Sequence, residues 1–158
     1  MPSVKLSLRE YGSRDFRSPW KAKRKTLAAC AGSAAKANVA SAGKVAIVGY
    51  CWGGLLTWRA AALVQGLSAA VPYYGGGTTT AEEIARHPQC PVMAHYAKED
   101  HWIGLDTVEA FAKAHPEVTV HLYEADHGFN CDHRGAYQKV SADLARERTL
   151  EFFEEHLA

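Results

Sequence analysis

From residue 43 onward, short apolar runs alternate with longer helix-patterned stretches, and that alternation restricts the chain to very few architectures. The run KVAIVG at 44–49 is nearly continuous in apolar side chains, as a strand buried on both faces requires. A helix-like set follows over 53–65, with Leu55, Leu56, Trp58, Ala62 and Leu63. Residues 69–73 read as a second strand ended by Gly75-Gly76-Gly77, and 80–86 as a short helix. A third strand over 92–96 is entered through Pro91, and a helix over 106–114 starts near Asp106 or Thr107. A fourth strand spans 119–123, and a closing helix spans 141–156 with Leu144, Leu150, Phe152, Phe153 and Leu157 as its apolar set. Strand and helix alternating in this way predict an α/β fold, a mostly parallel sheet with helices on both faces.

The rest of the chain has a different character. Residues 1–42 carry nine Lys/Arg against two Asp/Glu, whereas 43–158 carry nine against fifteen, so the net charge of +1 conceals two opposed segments. Within 1–42, Val4, Leu6 and Leu8 alternate as in a short strand. The basic cluster Lys21, Lys23, Arg24 and Lys25 precedes an Ala-rich, helix-compatible stretch. This segment is compatible with a targeting sequence, a basic arm or a mis-assigned start, and 43–158 is the unit expected to carry the chemistry. It lacks the interleaved aromatics of a nucleic-acid surface, so no nucleic-acid partner is expected. The apolar runs are too short for a bilayer-spanning helix, and the first residues lack a signal-peptide core. The expectation is a cytoplasmic protein without a membrane partner, its cysteines (Cys30, Cys51, Cys90 and Cys131) reduced.

Three short segments carry the chemistry. Gly49-Tyr50-Cys51-Trp52-Gly53 sits between a buried strand and a helix, the G-x-nucleophile-x-G elbow with Cys in the nucleophile position. Gly49 and Gly53 are expected to be bare so that strand and helix can pass closely. The helix N-terminus is expected to favour the Cys51 thiolate, and the Trp52 amide to donate to an oxyanion. Taken alone, the motif also fits a glycine-rich turn around an inert thiol. Asp100, in Glu99-Asp100-His101, lies just past the third strand, where parallel sheets hold their sites; it is either an imidazole-orienting acid or a loop cap. His127, in Asp126-His127-Gly128-Phe129, follows the fourth strand and is either a base or a structural histidine. The order nucleophile, acid, base on successive strands is that of α/β-hydrolases. Asp126 is adjacent to His127 and poorly placed to reach its Nδ1, and Asp106 reads as a helix-start residue. His101, His121 and His133 have no metal-ligand spacing, so no metal is expected. Cys131 reads as a small pocket residue.

At these residues a family resemblance emerges. VGYCWGG, AVPYYGGG, CPVMAHYAKEDHWI, VHLYEADHGFNCDHRGAY and ARERTLEFFEEHL resemble, in order, the blocks of the dienelactone hydrolase (carboxymethylenebutenolidase) family over about residues 43–158. The resemblance implies an α/β-hydrolase fold and a Cys51-His127-Asp100 triad that opens a small lactone or ester through an acyl-thiol intermediate, with no cofactor. The Trp52 amide resembles one oxyanion donor. Tyr74, Trp102 and Phe129, in the same blocks, are candidate substrate contacts. The family's His loop carries an arginine for a substrate carboxylate. Here that position is Cys131, and Arg134, three residues on, is either its substitute or a solvated charge.

Family members also carry a larger amino-terminal part that supplies sheet strands and a second oxyanion amide. Nothing within 1–42 is recognisable as that part. The amino-terminal strands are therefore expected to be truncated, which leaves 44–49 as an apolar edge to be covered by 1–42, a second copy of the chain or a missing piece. Two other functions remain open: a hydrolase of another acyl substrate such as a thioester, and a weakly active or non-catalytic hydrolase-like domain.

Overall fold

A computed structural model describes residues 43–158. The alternating residues around Val4 and the Ala-rich stretch fall outside the described residues. Four strands, β1 (Ala46–Tyr50), β2 (Ala69–Tyr73), β3 (Val92–Ala97) and β4 (Val118–Tyr123), form one parallel sheet in the order β1-β2-β3-β4. Helices α1 (Trp52–Leu63), α2 (Ala81–Ile84) and α3 (Leu105–Ala114) connect them, and α4 (Lys139–Leu157) closes the chain. The predicted α/β alternation is present element by element.

Period-2 alternation along the inner strands shows how the two faces are filled. On β2 and β3, Tyr73 and His95 point to α4: the Tyr73 hydroxyl donates to the Ala145 carbonyl at 2.9 Å, and His95 Nε2 lies 3.1 Å from Thr149 Oγ1. Tyr96, the next residue of β3, points the other way and packs against Phe111 of α3. Trp58 of α1 meets the same Phe111 edge-on at 5.0 Å, so α1 and α3 share that face. Every residue of β2 and β3 is buried, as parallel strands sandwiched between helices require.

Two details depart from the sequence expectation. The closing helix buries Ser141, Ala142, Ala145, Thr149 and Phe152, while Leu144 and Leu150 face outward. Two long polar side chains, Tyr73 and His95, rise from the sheet beneath α4. Only small or hydroxyl-bearing residues fit opposite them and satisfy their polar ends. Nor is β1 buried on both faces: Val48 and Tyr50 are 42% and 44% exposed, because among the described residues β1 has a strand neighbour on one side only.

Pro72 lies in an inner strand, where a proline would normally delete a ladder bond. The amides of Ala70 and Tyr74 donate to Pro91 and His95, so the intervening residue 72 also turns its nitrogen toward β3. The β2–β3 pairing is correspondingly interrupted between Ala70↔Val92 and Tyr73↔His95, while the β1–β2 register is continuous. None of the described helices is long and apolar enough to cross a membrane.

Candidate active site

Backbone hydrogen bonds continue past the ends of the strands and hold the loops of the carboxyl edge together. The Cys51 amide donates to the Tyr73 carbonyl at 3.1 Å, and the Tyr74 amide to His95 at 2.7 Å. Further along, the Lys98 and Glu99 amides donate to Tyr123 and Ala125. The residues after β1, β2, β3 and β4 are thus fixed relative to one another before any side chain is considered.

Cys51 is the turning residue between β1 and α1, with φ 54° and ψ −121°. A non-glycine residue there stores strain, held by the Tyr73 bond behind it and the first helical turn ahead, where the Gly54 amide reaches the Cys51 carbonyl at 2.9 Å. Gly49 must be bare: a Cβ would lie 2.5 Å from Thr57 Oγ1 and closer still to the Gly53 carbonyl. Gly53, expected to be equally constrained, has open space around it. The second close approach belongs to Gly54, where a Cβ would stand 2.5 Å from the Tyr73 carbonyl and 2.9 Å from Gly75 Cα. The first turn of α1 approaches β1 through the Gly53 carbonyl, which needs no bare Cα at Gly53, and the end of β2 through Gly54 itself, so the second glycine constraint moves one residue along.

Asp100 and His127 come together. Asp100 Oδ2 lies 2.8 Å from His127 Nδ1, and Asp100 Oδ1 accepts the Trp102 and Ile103 amides at 2.8 and 3.0 Å. With its side chain 1% exposed, this carboxylate is desolvated, fully hydrogen-bonded and aimed at one imidazole. Asp126 does not compete for that imidazole. Its Oδ1 takes the His127 amide at 2.6 Å and His101 Nδ1 at 2.7 Å. The His127 amide, and after it His101, hold the Asp126 carboxyl below its ordinary pKa. Two Asp-His dipeptides therefore exchange partners crosswise: Asp100 grips His127 and Asp126 grips His101, one pair buried and the other exposed.

The thiol is less activated than the helix dipole alone suggests. Burial raises the Cys51 pKa, the Arg134 charge opposes that rise, and Asp100 and Cys131 add to it. No hydrogen bond joins Cys51 to His127 among the described residues. Arg134 leans inward: its Nη1 lies 3.5 Å from where a Cβ on Gly128 would be, and Gly128 has φ 84°. The guanidinium thus lies over the His127 loop within reach of the thiol's field.

The other candidates sort by exposure. Trp102 is 74% exposed at the rim. Tyr74 and Phe129 are 1% and 0% exposed and stack edge-on to each other at 5.3 Å, with Tyr74 also 5.1 Å from the His127 ring. They form the floor that supports the imidazole and have almost no surface for a ligand, contrary to the expectation of direct substrate contact. Sequence reasoning missed this supporting role of Tyr74, whose φ of 33° marks a second strained turn; the glycine run immediately after it was the available signal. Trp52 opens α1 with its indole exposed. Cys51, Cys90 and Cys131 are free thiols, with burial pushing Cys90 up to about 11.

The model of the dienelactone hydrolase family matches residues 14–157, a stretch that begins well before the block of motifs at residue 43. A candidate carboxymethylenebutenolidase of Salmonella typhi is 35% identical over 136 residues, covering 77% of this chain and 50% of its own length. The carboxymethylenebutenolidase of Pseudomonas putida is 34% identical over 116 residues, covering 71% of this chain and 49% of its own. A candidate dienelactone hydrolase solved from Klebsiella pneumoniae superposes with a TM-score of 0.62 at 34% identity, over 69% of this chain and 51% of that one. A dienelactone hydrolase-like promiscuous phosphotriesterase from metagenomic libraries superposes with a TM-score of 0.75 at 23% identity, over 87% and 63%; it speaks for the fold alone. The chain spans about half the length of the curated relatives it matches.

Proposed function

The chain belongs to the dienelactone hydrolase family, and from that premise we propose that it carries the acyl-transfer machinery of a cysteine-dependent hydrolase for small lactones or esters. The observation that carries the reading is the buried Asp100–His127 pair at 2.8 Å, set beside a nucleophile elbow at Cys51. Asp100 keeps His127 in the tautomer with Nδ1 protonated, so Nε2 is the basic nitrogen.

In this mechanism His127 generates the thiolate from a Cys51 thiol whose pKa burial raises. On attack, Cys51 Sγ bonds to the carbonyl carbon while its proton moves to His127 Nε2. The first turn of α1, including the Trp52 amide, faces the developing oxyanion, and Asp100 stabilises the imidazolium. The carbonyl then re-forms as the bond from the acyl carbon to the ester oxygen breaks, and His127 gives the proton to the departing alkoxide, which stays tethered if the substrate is a lactone. Water adds to the thioester with His127 as base; the carbon–sulfur bond breaks, the acid leaves and Cys51 regains its proton. Arg134, lowering the Cys51 pKa from the mouth of the site, suits a substrate with a carboxylate. The triad itself uses no cofactor. A thioester would follow the same steps with a thiolate leaving group.

The second reading, a weakly active or non-catalytic domain that self-associates along the sheet edge, rests on the exposure of Val48 and Tyr50 and on the half-length match. Mass-detected labelling with limiting iodoacetamide across pH 5 to 9, together with 4-nitrophenyl acetate turnover, separates the two. Labelling of Cys51 ahead of the other cysteines, dependent on His127, and an acyl adduct lost in Cys51→Ala support the hydrolase. Hydrolysis unchanged in Cys51→Ala refutes it, and equal, slow labelling of every cysteine favours the second reading.

A further inference from the structure

At the opposite edge of the sheet, where the chain enters β3 and β4, three residues distant in sequence converge. His87 follows α2, His115 ends α3 and Glu117 precedes β4. One ligand atom from each lies within 4.8 Å of the other two. His115 is fully buried, wedged edge-on against Trp58 with ring centroids 5.0 Å apart.

Both nitrogens of this buried ring face acceptors. Nε2 lies 2.8 Å from the Ile84 carbonyl and Nδ1 lies 2.9 Å from Glu117 Oε1. A neutral imidazole has one N–H. If Nε2–H donates to Ile84, the lone pair of Nδ1 points at a carboxylate lone pair, and a cation must sit between them. A second imidazole faces the same oxygen: His87 Nδ1 lies 3.9 Å from Glu117 Oε1. A proton on His115 would answer Glu117 but leave His87 unengaged, whereas a single divalent ion engages all three groups.

We propose that His87, His115 and Glu117 form a divalent transition-metal site that fastens the loop entering β3 to the loop entering β4. Bonds of about 2.0–2.1 Å in a tetrahedral site put neighbouring ligand atoms about 3.3 Å apart. The observed 2.9 and 3.9 Å separations bracket that value. Two imidazoles and a carboxylate select zinc, cobalt or nickel over magnesium or calcium. The Ile84 carbonyl holds the ring of His115 and fixes its tautomer, the usual partner of a metal-bound histidine. The fourth position opens to solvent, because the His87 and Glu117 side chains are 81% and 45% exposed. The site lies at the amino ends of the strands, away from Cys51, so its role is to brace the fold and not to take part in acyl transfer. Spacing alone did not disclose it, because His87 reaches the other two only through the folded sheet.

The test is thermal unfolding of metal-free full-length protein titrated with zinc, with magnesium as control. A saturable rise in Tm of about 5 °C at micromolar zinc, absent with magnesium, is expected. His87→Ala, at an exposed position that does not perturb the core, is expected to weaken zinc affinity at least tenfold, and Glu117→Gln likewise. Substitution with cobalt is expected to give visible ligand-field bands without sulfur-to-metal charge transfer, which separates this site from the cysteines. No saturable response to zinc, or an equal response in wild type and both variants, overturns the proposal and leaves a proton as the cation between His115 and Glu117.

Discussion

Removing the titration of His95 should flatten the acid side of the stability profile. His95 sits in the sheet with Nδ1 2.7 Å from the Tyr123 hydroxyl and Nε2 3.1 Å from Thr149 Oγ1, and no part of it is exposed. Burial, and after it the nearby His121 and Arg148 charges, lower its pKa from 6.5 to about 3. The unfolded chain therefore binds a proton that the folded chain refuses. Stability from this group is full above pH 6.5, falls as pH drops below that, and levels off near 3. Integrating the two titrations between pH 7.5 and 5.0 gives a loss of about 2 kcal/mol. His95→Gln retains donor and acceptor groups but cannot titrate in this range. Urea unfolding at the two pH values should show a fall in ΔG about 2 kcal/mol smaller in the variant than in the wild type. The His121 contribution is common to both proteins and cancels. An identical pH dependence in the two would mean that His95 takes up its proton as readily in the folded chain as in the unfolded one, and the reasoning fails.

Two further outcomes follow from the site. Gly54→Ala should cost roughly 3 kcal/mol or more, because its Cβ meets backbone on both sides, whereas Gly53→Ala, with open space around it, should be neutral or stabilise by about 0.5–1 kcal/mol; thermal melts of the pair decide, and equal effects would refute the assignment of the close approach. If the proposed triad operates, Asp100→Asn should lower kcat about 10²–10⁴-fold with KM little changed, because the amide leaves the imidazolium uncompensated; steady-state ester hydrolysis measures it, and an unchanged kcat would remove Asp100 from the mechanism.

The sheet was legible because parallel strands must be apolar and short, and because the glycine and proline punctuation of this chain is dense. The elbow was legible for a local reason: Gly49-Tyr50-Cys51 encodes a turn within a few residues. What escaped depends on neighbours far along the chain. Which glycine is crowded depends on where β2 ends beneath α1, so Gly54 and not Gly53 carries the constraint. Which face of α4 is buried depends on Tyr73 and His95 rising from the sheet, and no periodicity within 139–157 discloses that. Tyr74 and Phe129 looked like substrate contacts because they sit in the motif blocks, but they pack against each other, Tyr74 also against His127 and Phe129 against Tyr123. The opposing influences on the Cys51 thiol were only half legible for a related reason: the helix dipole is local, while desolvation, which raises its pKa, is a property of the assembled crevice.

The crosswise exchange of partners between the two Asp-His dipeptides has a mechanical corollary. A loop held by one bond swings about it; two loops held by reciprocal bonds, each supplying a clamp to the other, must move as one body. Shortening or lengthening either loop by a residue would put both dipeptides out of step at once. Length variation at this edge of the fold should therefore be tolerated in the span that leads away from His127 toward α4, and resisted between β3 and Trp102 and between β4 and Gly128. The exposed member of the pair is the one that salt can loosen, so the rigidity of the crevice is open to the solvent's influence even though its acid is not.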